Sequence, residues 1–504
     1  MSNKGSKALI LGLGLMTLLS ACSSGNDAPS RQSGTTDGGK KAAPVKLTMM
    51  VQNHPAMPLN PDWPIYDWLG ENANVELEVS GFQGNWWEAI PLVIASGDMP
   101  DMMWMSGPDI VNKSGEDGAL VNLLDYRDIM PNLQAFMEQH PAETEALLSS
   151  EGKLFMHPAY GPFGDVDSML VYRKDVFDKH SLKEPQTYDE LFDVLMKLKS
   201  LYPDSYPLFI EGLGDVNRLA LSFGLGNSLY YDEADQSWKY APAEANFEKL
   251  LSFMANAYAN KLIPQEFGNM DMKKRNELIA KDEIFVSYAW FEQGDFTFFD
   301  SLKSSNPDFR MIQLTPPSGD GHTGYHTQQY LYQEGLTVTT TSKHKEEALR
   351  FIDSLFTEKA RDLMSWGKEG VTYEVKDGMK QYLPVVKDAA FRSNEYGIRT
   401  SAMTAWFDND ANIALMSEDE KESYMEAVKH LAPAPRSVAL SKQERDAISL
   451  KMTSIDKYYQ ENVSKMIVGQ LPLAQWDDYV QGLYDLGLND VLDVYNEASK
   501  RAWK

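Results

Sequence analysis

The order of apolar and polar positions divides the chain into short strand-like runs and amphipathic helices. Val45 to Val51 is a β-prone apolar run and predicts a first strand, and Val75 to Val79, with alternating acids, predicts a second. Asn85, with Glu88 three residues on, opens a helix that Gly97 stops and Pro91 kinks. Met102 to Met105 then reads as a third strand. Leu123, Tyr126, Met130 and Leu133 follow helical spacing, interrupted at Pro131. Lys153 to Met156 predicts a short strand, ended by His157 and Pro158, and a Gly/Pro/Asp-rich loop runs from Ala159 to Asp167. Ser168 to Tyr172 restarts a strand, and Lys174 to His180 is a short helix. Thr187 and Glu190 have capping-box spacing, ahead of Leu191, Leu195 and Leu198 on one helical face.

Further on, Leu208 to Ile210, Glu283 to Ala289 and Leu336 to Thr340 predict strands. Phe247 to Tyr258 predicts a core helix. Ser342 opens another, with Ala348, Phe351, Ile352 and Leu355 on one face. Asp377-Gly378 marks a hairpin, and Trp476, Tyr479, Val480 and Leu483 form a packing stripe that stops at Gly487. Alternating strands and helices predict an α/β fold. A strand that ends at His157 and restarts beyond a loop suits a chain leaving one lobe for another.

Composition narrows the function. The 504 residues, 43% hydrophobic, suffice for two or more domains with proper cores. A formal net charge of -26 argues against nucleic acid as a partner and against docking on anionic lipid, and fits solubility outside the cell. The single cysteine, Cys22, excludes an intrachain disulfide or a cysteine-based zinc site. Lys4 and Lys7 precede an apolar run from Ala8 to Leu19, too short to span a bilayer but right for a signal-peptide core. The run ends in Leu19-Ser20-Ala21-Cys22, which resembles the bacterial lipobox. That resemblance implies cleavage before Cys22, a diacylglycerol on its thiol, and anchoring at the extracellular face of the membrane of a Gram-positive bacterium. Residues 22–44 are Ser, Gly, Thr, Asp and Lys with almost nothing apolar, a flexible tether.

Specific stretches carry a second resemblance. GKLFMHP and VYRKDVFDKHSLKEPQTYDELF, from Gly152 to Phe192, are similar to the first lobe crossing of family 1 extracellular solute-binding proteins, the receptors of ABC-type carbohydrate importers. ASGDMPDMMWM resembles the family's ASGDxPD signature, in which Asp98 and Asp101 are expected to cap and brace the turn. GLTVTTTSKHKEEALRFIDSLF resembles the return into the first lobe. The GVTYEVKDG hairpin and the VGQ…WDDYV…LGL ending are similar to a long branch that includes alginate-oligosaccharide-binding proteins. The resemblance implies a two-lobed, type II periplasmic-binding-protein-like fold with a hinge and a central cleft. Lobe 1 would hold 45–157 and 331–366, and lobe 2 would hold 158–330 and 367–504. It also implies a monomer that delivers an oligosaccharide to permease subunits in the membrane and breaks no bond in it. Several relatives carry a calcium loop where this chain reads LYPDSYPLF, which lacks the spaced oxygen ligands, so neither calcium nor any cofactor is expected.

A carbohydrate site needs aromatic faces for sugar C–H surfaces and planar polar groups for hydroxyls. The resemblance places cleft tryptophans at Trp290 and Trp406. Trp104, Trp366, Tyr160 in the inter-lobe loop and Asn53 at the carboxyl end of the first strand are further candidates. The rivals are a surface glycoside-active enzyme and a receptor for a non-sugar solute such as a peptide. No GxSxG, HExxH or P-loop is present. His322 and His326 flank Gly324 in a loop, and Met102, Met103 and Met105 read as core filler rather than metal ligands.

Overall fold

The computed structural model describes residues 43–53, 58–161, 166–290, 294–328, 333–399 and 405–502. The signal segment, Cys22 and most of the tether lie outside the described residues. Among the described residues no helix is long and apolar enough to cross a membrane.

The first sheet joins β1 (Val45–Val51), β2 (Val75–Gly81) and β3 (Met102–Ser106) with β10 (Glu334–Val338), in the order β10-β3-β1-β2. β1 is parallel to both β2 and β3, and β10 is antiparallel to β3. The helices Pro64–Ala73 and Lys345–Ser354 pack against this sheet. Ala348, Phe351, Ile352 and Leu355 are fully buried in its core, as their spacing predicts.

Asp101 staples this sheet. Its carboxylate accepts from the Thr48 backbone N–H and hydroxyl, both at 2.8 Å, and from the Ser342 hydroxyl at 2.6 Å. Its own N–H donates to the Thr48 hydroxyl, and its carbonyl accepts from the Thr339 N–H. One residue thus links β1, the entry to β3 and the exit of β10. Burial pushes this carboxyl up, but the hydrogen bonds from Ser342 and Thr48 outweigh it and hold the group below its ordinary range. Asp98, by contrast, is exposed.

The second sheet centres on β4 (Val166–Arg173), flanked on one side by β7 (Val286–Trp290) and on the other by β8 (Met311–Gln313) and β9 (Thr327–Gln328). All three pairings are antiparallel. Side chains alternate across β4, so its two faces feed two cores. Leu170 and Tyr172 join Phe247, Leu250, Tyr459 and Trp476. Met169 and Val171 join Phe296, Phe299 and Tyr424. A separate ribbon, β5 (Leu229–Asp232) with β6 (Ser237–Tyr240), packs beside the carboxyl-terminal helix Leu488–Ala502. The hairpin β11 (Tyr373–Lys376) and β12 (Met379–Tyr382) turns at Asp377 and Gly378, whose φ values of 53° and 79° are both left-handed.

Local signals set most helix starts. Thr187 accepts from the Glu190 N–H, and complete capping boxes start the helices Glu418–Ala427 at Ser417 and Lys442–Ile467 at Ser441. Three expectations shift. Residues 153–156, of which 154–156 are buried, form no strand, because Leu154 bonds to Leu123 and to the Asn122 side chain rather than to a ladder. Leu208 makes a single bridge, to Val286, rather than starting a strand. The helix expected from Ser342 begins at Lys345, and Ser342 instead accepts from the His344 N–H.

Replacing Asp101 with Ala strands the Thr48 and Ser342 donors inside the sheet. We expect Asp101→Ala to cost about 3 kcal/mol in urea unfolding, against nearly nothing for Asp98→Ala. Equal losses for the two variants would contradict the staple.

Candidate functional site

Beyond Pro158 the chain passes from the first core toward the second, and residues 159–161 run beside 405–407. The Tyr160 N–H donates to the Ala405 carbonyl at 2.9 Å, and the Phe407 N–H donates to the Tyr160 carbonyl at 3.0 Å. Gly161 follows at φ 72°, and a Cβ there would sit 2.9 Å from the Phe407 carbonyl oxygen, so only glycine fits this close approach. The paired strands floor a cavity of about 1040 Å3. Residues from 142–152, residues 434–439 and Arg501 also line it.

Among the described residues, Tyr160 and Trp406 present their rings here, beside the buried Phe407. Tyr160 is 43% exposed, and Trp406 is half-buried; both line the cavity. Each is backed from below. The Tyr160 ring lies 4.2 Å from His140, which lies 4.4 Å from Phe136. Phe136 in turn meets Trp406 edge-on at 6.1 Å. The Arg361 guanidinium stands 5.1 Å from the centre of the Trp406 ring and pairs with Asp408 at 3.2 Å. Asp408 also accepts the Trp366 indole N–H at 2.9 Å. Burial pushes the Asp408 carboxyl up, but the Trp366 bond and the Arg361 charge outweigh it, and Asp408 stays ionised.

Trp290 ends β7, half-buried, opposite Ser168 of β4. Ser168 has Thr327 as its other neighbour, and the adjoining Gln328 lines the cavity. Two strand spacings, about 10 Å, therefore separate Trp290 from that edge. The Arg218 and Arg275 guanidiniums lie 5.4 and 5.5 Å from the Trp290 ring centre. The Trp290 N–H donates to Asp295, which forms a fully buried ion pair with Arg275. Burial pushes the Asp215 and Asp167 carboxyls up, partly offset by Arg218 between them.

The other sequence candidates fall elsewhere. Trp104 is fully buried, because β3 is covered on both faces, and its ring packs edge-on to Trp86 at 4.9 Å. It therefore presents no face to a cleft. Trp366 is 3% exposed and does not line the cavity; its indole N–H donates to Asp408, which does. Asn53 is exposed and accepts from the Leu59 N–H at 3.0 Å, bracing its own loop. His322 bonds to Asn246 and His326 to Gln313, so the two imidazoles do not converge. The supports Phe136, His140, Arg361, Arg218 and Arg275 have no local sequence signature, since each meets its tryptophan or tyrosine only through the fold. The Trp86 and Trp87 rings stack at 3.8 Å, and Trp87 is 49% exposed, but neither lines the cavity.

The profile of the bacterial extracellular solute-binding proteins matches residues 64–362, more than half of the chain. The chain belongs to that family. The fructooligosaccharide ABC transporter substrate-binding protein FusA of Streptococcus pneumoniae is 24% identical, over 97% of this chain and 96% of FusA. Lipoprotein LipO of Bacillus subtilis is 22% identical over 81% of this chain and 82% of its own length. The crystal structure of the alginate-binding protein AlgQ2 without calcium ion superposes with a TM-score of 0.78 at 24% identity, covering 91% of this chain and 99% of that one. The fold is accordingly the two-lobed α/β architecture of type II periplasmic binding proteins.

His157, at the start of the crossing, is wholly buried, with Nδ1 2.8 Å from the Pro158 carbonyl. Burial pushes its pKa down to about 4, against a smaller upward pull from the Pro158 carbonyl, so the folded state keeps it neutral. The unfolded chain takes up that proton near pH 6.5, so the contribution to stability is present above about pH 6.5 and is lost as pH falls toward 4. His326, pushed down to about 3 by burial and by the neighbouring His430, works in the same direction. Between pH 7 and 4 the native protein is expected to lose about 3 kcal/mol more than His157→Gln does. Parallel stability–pH curves would contradict this.

Proposed function

We propose that this protein is the lipid-anchored, extracellular receptor of an ABC importer, and that it captures an oligosaccharide over Tyr160 and Trp406 and hands it to membrane permease subunits. The observation that carries the reading is the cavity floor. Two aromatic rings, one exposed and one half-buried, are held in register by backbone pairing at a chain crossing and backed by His140, Phe136 and Arg361. Rigid aromatic faces set among planar polar groups suit pyranose or furanose rings. Trp290 extends the aromatic surface along the second sheet.

The two lobes are assigned around this crossing. Residues 45–157 and 331–366 form the first, and 158–330 and 367–504 the second. Contacts support a refinement, since Trp63 donates to the Asn394 carbonyl and Trp68 stacks on Tyr396, drawing residues near 394–396 toward the first core. A ligand touching both lobes binds the closed state more tightly and so favours closure. Cys22, following a signal-peptide core, is the proposed acylation site that holds the monomeric protein at the outer face of a Gram-positive membrane. The relative LipO, a lipoprotein by name, supports that anchoring.

No bond in the ligand is broken. Hydrolysis of a glycoside needs two carboxyl groups flanking one bond, one of them protonated. Asp408 is ionised and tied to Trp366 and Arg361, and Glu143 and Glu145 sit two residues apart on the same short helix. A peptide receptor is less well supported, because the half-exposed groups on the floor are aromatic rings rather than charges.

Calorimetry or thermal shift against an oligosaccharide panel tests the reading. Tyr160→Ala and Trp406→Ala are each expected to weaken binding about tenfold or more, roughly 1.4 kcal/mol, with the sugar recovered intact. Affinity unchanged in both variants, or released product, would contradict it.

A further inference from the structure

The charges around the cavity point to the class of saccharide. Among the described residues, three guanidiniums line it, Arg361, Arg436 and Arg501, and no lysine does. Each already has a carboxylate. Arg361 pairs with Asp408 at 3.2 Å. Arg436 grips both oxygens of Glu233, the Nη2 contact being 3.0 Å. Arg501 holds Glu444 through both terminal nitrogens, at 2.8 and 3.0 Å, and Glu444 also accepts the Ser441 N–H in its capping box. The Arg501 contact and the capping bonds outweigh burial and hold that carboxyl down to about 2, so this pair persists at any physiological pH.

The Trp290 end repeats the arrangement. Arg275 is paired with Asp295, and Arg218 lies between Asp215 at 3.0 Å and Asp167 at 3.9 Å. Two further lining carboxylates, Glu143 and Glu145, have no described cation paired with them. The chain as a whole carries -26.

We propose that the ligand is a neutral oligosaccharide and that uronate-containing chains are excluded. This rests on the receptor reading above. Recognition of a uronate needs a guanidinium or ammonium free to meet its carboxylate, most effectively in a bidentate pair. Here a ligand carboxylate would meet guanidiniums whose charge is already matched by Asp408, Glu233 or Glu444, and would approach Glu143 and Glu145, so it gains no net ionic attraction. Hydroxyl groups face no such conflict. A paired guanidinium keeps N–H groups to donate, and its carboxylate keeps lone pairs to accept, so the same ion pairs serve as neutral hydrogen-bonding platforms. The cavity selects by withholding any unmatched positive charge.

The test is isothermal titration of the purified protein with size-matched panels. One holds neutral fructo-, manno- and xylo-oligosaccharides, and the other oligogalacturonates and oligoalginates, each at low salt and in about 0.5 M NaCl. The expected result is saturable binding of a neutral sugar whose Kd changes less than about twofold with salt, and uronates at least ~100-fold weaker. Tighter uronate binding that salt weakens would overturn the charge inference while leaving the receptor reading standing. Binding of neither class would overturn both.

Discussion

Two backbone hydrogen bonds, from Tyr160 N–H to Ala405 and from Phe407 N–H to Tyr160, hold two passages of the chain side by side where it leaves the first core. Much of the site follows from them. They fix Tyr160 and Trp406 on a common floor, and they require Gly161, because any Cβ there would strike the Phe407 carbonyl. The aromatic rings beneath then have a fixed surface to pack against. Phe136 touches Trp406 from one side and Phe356 from the other, at 4.7 Å, so the floor is continuous with the first hydrophobic core. On the proposed reading, preorganisation of this kind would lower the ordering cost of binding, since the two rings are already fixed.

Trp406 and Trp290 share an electrostatic arrangement. Arg361 lies near the Trp406 ring and Arg218 and Arg275 near the Trp290 ring, and in each case the guanidinium is matched by a carboxylate. The cation orients the ring while the carboxylate cancels the charge. A second set of ion pairs ties the cores near the cavity. Arg445 of the helix Lys442–Ile467 pairs with Glu116, and Lys442 with Asp117 at 2.6 Å, both partners at the end of the helix Pro108–Glu116 of the first core.

What sequence reasoning could reach was set by how local the cause is. Caps at Thr187, the Asp377-Gly378 turn, the strand β1 and the buried stripe of Ala348, Phe351, Ile352 and Leu355 all arise from neighbours within a few residues, and they read directly. The bracing role of Asp101 was legible in kind, but not its reach to Thr48 and Ser342. Trp104 misled because a place at a strand's end does not fix exposure, and β3 is covered on both faces. Tyr160 and Trp406 could be singled out separately; that they are paired neighbours, 246 residues apart in the sequence numbering, is a property of the fold alone. The same holds for Arg361, His140 and Phe136, whose part in the site depends on contacts no local pattern encodes.

The central claim is that the crossing at Tyr160 and Trp406 is the sugar platform. A crystal structure of the protein with a bound oligosaccharide tests it most directly. The account predicts a sugar ring lying flat on Tyr160 or Trp406 within van der Waals distance, with residues 434–439 and 142–152 on either side of it. A sugar bound elsewhere, with both rings left bare, would contradict the account.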